Sequence, residues 1–138
     1  MKPPREAHVN TITPYINAGK FKTFEGNTDL IPGIRTELSL GHTPGHTIYF
    51  IESKVKTLVL WGDIIHVAAV QFENPSVAIS FDSDTAEAIK SRQQILTRAA
   101  KYGWLIGGSH LTFPGLGRVR ANNDKGYIFL PLDNPLLK

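Results

Sequence analysis

Residues 46–63 read His46-Thr47-Ile48-Tyr49-Phe50-Ile51-Glu52-Ser53-Lys54-Val55-Lys56-Thr57-Leu58-Val59-Leu60-Trp61-Gly62-Asp63. Two runs rich in β-branched and aromatic residues, His46–Glu52 and Lys56–Trp61, flank Ser53-Lys54-Val55, a connector short enough for a hairpin. The second run stops on a Gly-Asp step, which delivers a carboxylate at the carboxyl end of a buried strand. Working outward, Ile34–Leu40 sets Ile34, Thr36, Leu38 and Leu40 against Arg35, Glu37 and Ser39, the period-two pattern of a half-buried strand. Upstream of it, a short helix near Val9–Ala18 gives way to a Gly- and Pro-punctuated loop or edge strand.

Downstream, Phe81-Asp82-Ser83-Asp84 opens a helix that runs to Tyr102. Asp84 and Glu87 have capping-box spacing, Lys101 sits in the last turn and Gly103 supplies a left-handed stop. Its apolar stripe is read as Ala86, Ile89, Leu96, Ala99 and Ala100, leaving Lys90, Arg98 and Lys101 in water. Trp104–Ile106 and Gly126–Leu132 read as further strands. The class is α+β, a helix laid across a mainly antiparallel sheet with helices on one face.

A chain of 138 residues, 41% hydrophobic and 20% charged, suits one compact domain over residues 1–138. The 15 basic and 12 acidic residues leave a net charge of +3, and the basic residues form no cluster, so no nucleic-acid partner is expected. The absence of cysteine excludes disulfides, thiolate metal sites and a thiol nucleophile. No apolar stretch reaches membrane-spanning length and no apolar leader follows Met1–Glu6, which predicts no membrane association and a cytoplasmic location.

Without cysteine, imidazole and carboxylate are the strong metal ligands left, and the chain has five histidines. His42 and His46 lie in Gly41-His42-Thr43-Pro44-Gly45-His46-Thr47, where Pro44 and Gly45 impose a turn; His46 falls at the mouth of the next strand and His42 leaves in another direction. Alone, this heptad also fits a turn holding a hydrogen-bonded histidine. Asp63 alone fits a turn former or a helix N-cap. Trp104-Leu105-Ile106-Gly107-Gly108-Ser109-His110 is a third strand end that finishes in a potential ligand, and the recurrence points to metal chemistry. His8 reads as solvated and His66 as a packing or surface residue, with a place near the same cleft as the alternative. No nucleophile elbow or phosphate-binding glycine loop is present.

Taken together, Gly41–Thr47, Trp61-Gly62-Asp63-Ile64-Ile65-His66, Val70-Gln71-Phe72 with Pro75, Phe81–Asp84 and Gly108-Ser109-His110-Leu111-Thr112-Phe113-Pro114-Gly115-Leu116-Gly117 resemble the metallo-β-lactamase superfamily, in its methyl parathion hydrolase and lactonase-like branch. The resemblance implies a dinuclear site for zinc or another divalent metal, with His46 completing the first ligand set, Asp63 bridging and acting catalytically, and His110 serving the second metal. It implies a metal-dependent hydrolase of esters, lactones or phosphotriesters, with Phe113, Pro114 and Leu116 forming an apolar substrate wall.

The family's His-x-His-x-Asp-His string does not occur in this sequence. The resemblance therefore covers the C-terminal half of the family's αββα sandwich, and the chain is expected to be a truncated domain with impaired activity. Ile48, Phe50, Leu58, Leu60, Ile128 and Leu130 are expected to form an open inner sheet face. That face predicts a homodimer, or a separately encoded N-terminal half as partner. The alternative to a hydrolase is a non-catalytic dimeric remnant or a half-domain needing a partner chain.

Overall fold

The computed structural model describes residues 5–123 and 125–132, with side chains from residue 11 onward and that of Val9. In chain order the elements are α1 (Arg5–Asn17), β1 (Asp29–Ile31), β2 (Ile34–Leu38), β3 (Thr47–Ser53), β4 (Lys56–Leu60), a 3-10 turn (Gly62–Ile64), α2 (Ala68–Gln71), α3 (Thr85–Tyr102), β5 (Leu105–Gly107), β6 (Leu116–Ala121) and β7 (Tyr127–Pro131). The seven strands form one sheet in sequential order. Every neighbouring pair is antiparallel except β4 and β5, which α3 connects in parallel. This is the expected α+β sheet.

α3 forms where its caps predict. The Asp84 side chain accepts from the Glu87 N–H at 3.0 Å, and Gly103 closes the helix in the left-handed region. Its buried stripe is Ala88, Arg92, Ile95, Leu96 and Ala99, displaced from the expected one because Arg92 turns inward. Arg98 is not free in water: it pairs with Glu37 and lies over the rings of Phe50 and Trp104. The helix covers Ile48, Phe50, Val59, Ile106 and Val119 on one sheet face.

Strand register corrects the expected inner face. Ser53 pairs with Lys56, so the connector is the two residues Lys54 and Val55, and Tyr49 lies opposite Leu60 with Phe50 opposite Val59. A one-residue difference in a hairpin exchanges faces. Ile48 and Phe50 therefore point into the helix-covered core, at 1% and 0% exposure. Tyr49, Ile51, Leu58, Leu60, Leu105, Leu116, Ile128 and Leu130 share the opposite face, where Leu60 and Leu130 are exposed.

β6 was not anticipated from the sequence. Gly117 is required within the strand because a side chain there would overlap the Phe129 ring. Among the described residues, no helix is long and apolar enough to cross a membrane.

Candidate metal centre

Parallel pairing of β4 and β5 brings the carboxyl ends of both strands to one end of the sheet, and the antiparallel neighbour β3 begins there too. Three connections emerge together as a result. The loop between β2 and β3 carries His42 and His46, the turn after β4 carries Asp63 and His66, and the loop after β5 carries His110. Gly41 allows the first loop to lie against the start of α3: its φ is +116°, and a Cβ there would overlap the Ala88 backbone. The Asp84 and Ser83 N–H groups donate to the Gly41 and His42 carbonyls at 2.9 and 3.1 Å, fixing the His42 backbone.

Around Asp63 the ring nitrogens converge. His42 Nε2 lies 3.2 Å from Asp63 Oδ2, and His110 Nε2 lies 3.0 Å from Asp63 Oδ1. His66 stacks on His110 with ring centroids 4.5 Å apart and lies 4.8 Å from the His42 ring. His42, Asp63 and His66 each offer a ligand atom within 4.8 Å of the others. Asp63 caps no helix, so the N-cap reading falls away; it lies within the 3-10 turn Gly62–Ile64.

His46, the residue matched to the first ligand set, is placed differently. Its Nε2 accepts the Asp63 backbone N–H at 3.1 Å, and its other nitrogen, Nδ1, lies 2.9 Å from the Ser39 carbonyl. Since Nε2 is the acceptor, Nδ1 carries the proton and donates to Ser39. Both nitrogens are thus engaged with main chain, and His46 stands outside the converging group. Burial lowers its pKa below the usual histidine value, partly offset by the Ser39 hydrogen bond. His66 is also shifted down, first by burial and then by the neighbouring His110 and His42.

The donor set suits a divalent cation. Two ligands about 2.0–2.1 Å from a tetrahedral ion lie about 3.3 Å apart, close to the 3.2 Å between His42 Nε2 and Asp63 Oδ2. His42 Nδ1 also faces a carboxylate, Asp82 Oδ1, at 3.2 Å. A neutral imidazole has one N–H for these two acceptors, so a cation between Nε2 and Asp63 relieves the remaining lone-pair contact. The buried Nδ1 of His66 has no hydrogen-bond partner among the described residues, as expected of an atom that meets a ligand rather than the protein.

Asp82 and Arg92 are the residues that sequence reasoning missed. Their side chains are each 1% exposed, with Arg92 Nη2 3.7 Å from Asp82 Oδ2. Arg92 Nε donates to the Ile64 carbonyl and Nη1 to those of Pro75 and Val77, at 2.8 to 2.9 Å. Burial lowers the Arg92 pKa and the Asp82 carboxylate opposes that shift. The Phe81-Asp82-Ser83-Asp84 string beside the helix start was the available signal.

A cavity of 490 Å³ adjoins the centre, lined by Tyr49, Leu60, Gly62, Gly107, Pro114 and Leu116 among others. Pro114 and Leu116 are among the residues that line it. Phe113 is 71% exposed and does not line the cavity. The side chain of His8 lies outside the described residues.

No family model matches the chain. An N-acyl homoserine lactonase of Bacillus cereus is 30% identical over 88 residues, covering 63% of this chain and 34% of that protein. The crystal structure of AbOPH, a hydrolase in the β-lactamase superfamily, is 36% identical with a TM-score of 0.88, over 94% of this chain and 44% of its own. AidC, a dizinc quorum-quenching lactonase solved with its product, is 29% identical with a TM-score of 0.78, over 94% of this chain and 46% of its own. The chain spans about a third of the length of the curated relatives and under half of these two solved structures.

Proposed function

Because the chain is metallo-β-lactamase-like and spans part of the length of its relatives, we propose that it carries part of a metal-dependent hydrolase centre for esters, lactones or phosphotriesters. The observation that supports this reading is the convergence of His42, Asp63 and His66 within 4.8 Å. These residues would hold one divalent ion, zinc or another metal that two imidazoles and a carboxylate suit. His42 takes the role that the sequence resemblance gave to His46.

An ion bound there supplies Lewis-acid polarisation of a carbonyl or phosphoryl oxygen and lowers the pKa of a coordinated water. The chain's own residues set the rest. Asp63 presents two oxygens to different imidazoles and fixes the orientation of both. His110, 44% exposed at its side chain, lies against the other oxygen of Asp63, and one imidazole with a shared carboxylate is too few ligands for a second ion. Pro114 and Leu116 exclude water from one wall of the adjoining cavity, whose 490 Å³ suits a small molecule. Three clustered ligands form one ion site rather than two, so turnover is impaired relative to a dinuclear hydrolase.

Metal analysis of protein purified without chelator, alongside hydrolysis of a p-nitrophenyl ester and a lactone, tests this reading. The expected result is about one zinc per chain and slow turnover that chelation abolishes. Protein that takes up no zinc, or turnover indifferent to chelation, contradicts it.

A different observation supports a second reading. The sheet face opposite α3 leaves Leu60 at 38% and Leu130 at 42% exposure, with a 640 Å³ groove along Ile51, Leu58, Trp104 and Leu105. The occupant we propose is a second copy, because a contiguous apolar face left in water is a liability that pairing with its own equivalent removes. Light scattering at micromolar concentration checks this: a dimer is expected, and a monodisperse monomer of about 15 kDa refutes it.

A further inference from the structure

His42 is backed by a carboxylate to which the hydrolase reading assigns no task. Asp82 Oδ1 lies 3.2 Å from His42 Nδ1, and the Asp82 side chain is 1% exposed. Its second oxygen accepts the Ile79 N–H at 3.3 Å and faces Arg92 Nη2 at 3.7 Å. Arg92 is itself immobile, bonded to three carbonyls of residues 64–77. The segment that follows is equally fixed, since the Ser83 N–H and hydroxyl donate to the His42 and Gly41 carbonyls at 3.1 and 3.0 Å. Asp82 therefore cannot turn away from the imidazole without breaking several bonds in a dry environment.

We propose that Asp82 is the positioning residue of the centre: its carboxylate accepts from Nδ1–H of His42, which leaves Nε2 as the coordinating atom toward Asp63, while Arg92 holds the carboxylate in place. The inference rests on reading His42 as a metal ligand. Its physical basis is that an ionised carboxylate only accepts hydrogen bonds. Carboxylates face both ring nitrogens at 3.2 Å, and Asp82, 1% exposed and with no water to turn to, holds the single proton in preference to Asp63, which is 35% exposed. A carboxylate behind a ligating imidazole fixes tautomer and ring orientation and raises ligand basicity. Arg92 supplies what such a buried carboxylate needs, a guanidinium too firmly anchored to be drawn away into solvent.

Asp82→Asn discriminates this role from a merely structural one. The amide matches the carboxylate in shape but can donate through its NH₂ to Nδ1, which transfers the imidazole proton to Nε2 and blocks coordination there. The expected result is a folded protein with zinc affinity reduced about 10–100-fold, measured by competition with a chromophoric chelator. In the zinc-free proteins, the ¹⁵N shifts of His42 should report Nδ1–H in the parent and Nε2–H in the variant. Zinc affinity unchanged in a folded Asp82→Asn, or an Nε2–H tautomer of His42 in the parent protein, overturns the proposal. The parent tautomer keeps the test open to refutation even where the variant does not fold. His42→Ala separates the two readings: undiminished zinc binding by that variant removes His42 as a ligand, whereas loss there with full affinity in Asp82→Asn removes Asp82 alone.

Discussion

At the Gly45–Thr47 end of the loop between β2 and β3, His46 has one ring nitrogen on the Ser39 carbonyl and the other on the Asp63 N–H. At the Gly41–His42 end, the main chain is docked on the start of α3 and the His42 ring reaches between two carboxylates, Asp82 behind and Asp63 in front. The same residue type thus performs two jobs within one heptad. His46 spends both nitrogens on main chain and stiffens the turn that presents Asp63. His42 is held by its backbone and one nitrogen, which leaves the other for chemistry. What separates them is whether main chain or side-chain carboxylate occupies the ring nitrogens, and spacing in sequence does not report that.

The comparison is broken most severely from behind His42. Arg92→Met removes the cation beside Asp82 and the donors to three buried carbonyls, and breaking a buried pair in this way costs about 3–5 kcal/mol. Chemical denaturation should show that loss; a change below about 1 kcal/mol would mean that the Asp82–Arg92 contact braces nothing.

At the other end, His46→Ala leaves the Asp63 N–H and the Ser39 carbonyl without their partner. The expected loss is about 1–3 kcal/mol, again read by denaturation, in protein that still takes up zinc. A variant as stable as the parent would show that His46 does not brace the turn.

The smallest effect concerns pH. Burial depresses the proton affinity of His46 in the fold, so below about pH 6.5 the unfolded chain binds a proton there that the folded chain refuses. The His46 contribution to stability is fully present above that pH and is lost as pH falls. The slope should not exceed about 1.4 kcal/mol per pH unit for this one group, and His46→Gln should flatten the profile in zinc-free protein. A profile as steep in His46→Gln as in the parent would assign the dependence to other groups.

Much of the fold is legible in the sequence where local chemistry decides it. The Asp84 cap, the Gly103 stop and the two β-rich runs of residues 46–61 fall within a residue or two of their expected limits. The inner face was misread because Ser53 pairs with Lys56; register depends on one residue of turn, and a three-residue connector would have placed Phe50 beside Leu58. β6 escaped because its glycine answers to the ring of Phe129, a tertiary cause.

In the site, Asp63 and His110 were recognisable as polar residues beyond buried strands, and the structure brings them to 3.0 Å. His42 was passed over because a turn at Pro44–Gly45 does not say which imidazole faces the cleft, and His66 because its place just after Asp63 fits packing or surface equally well. Arg92 was one of the basic residues noted only for forming no cluster, since periodicity gives no reason for a guanidinium to point inward until Asp82 and three carbonyls are found beneath it.

Zinc titration of the parent protein beside His42→Ala and His46→Ala, with folding of each checked by circular dichroism, tests the division between the two histidines most directly. The structure predicts that His42→Ala loses affinity by more than the roughly 100-fold that outer-shell changes reach, while folded His46→Ala stays within about tenfold of the parent, in the range of such an outer-shell change. Loss of zinc binding in folded His46→Ala with retention in His42→Ala would reverse the assignment and contradict the account.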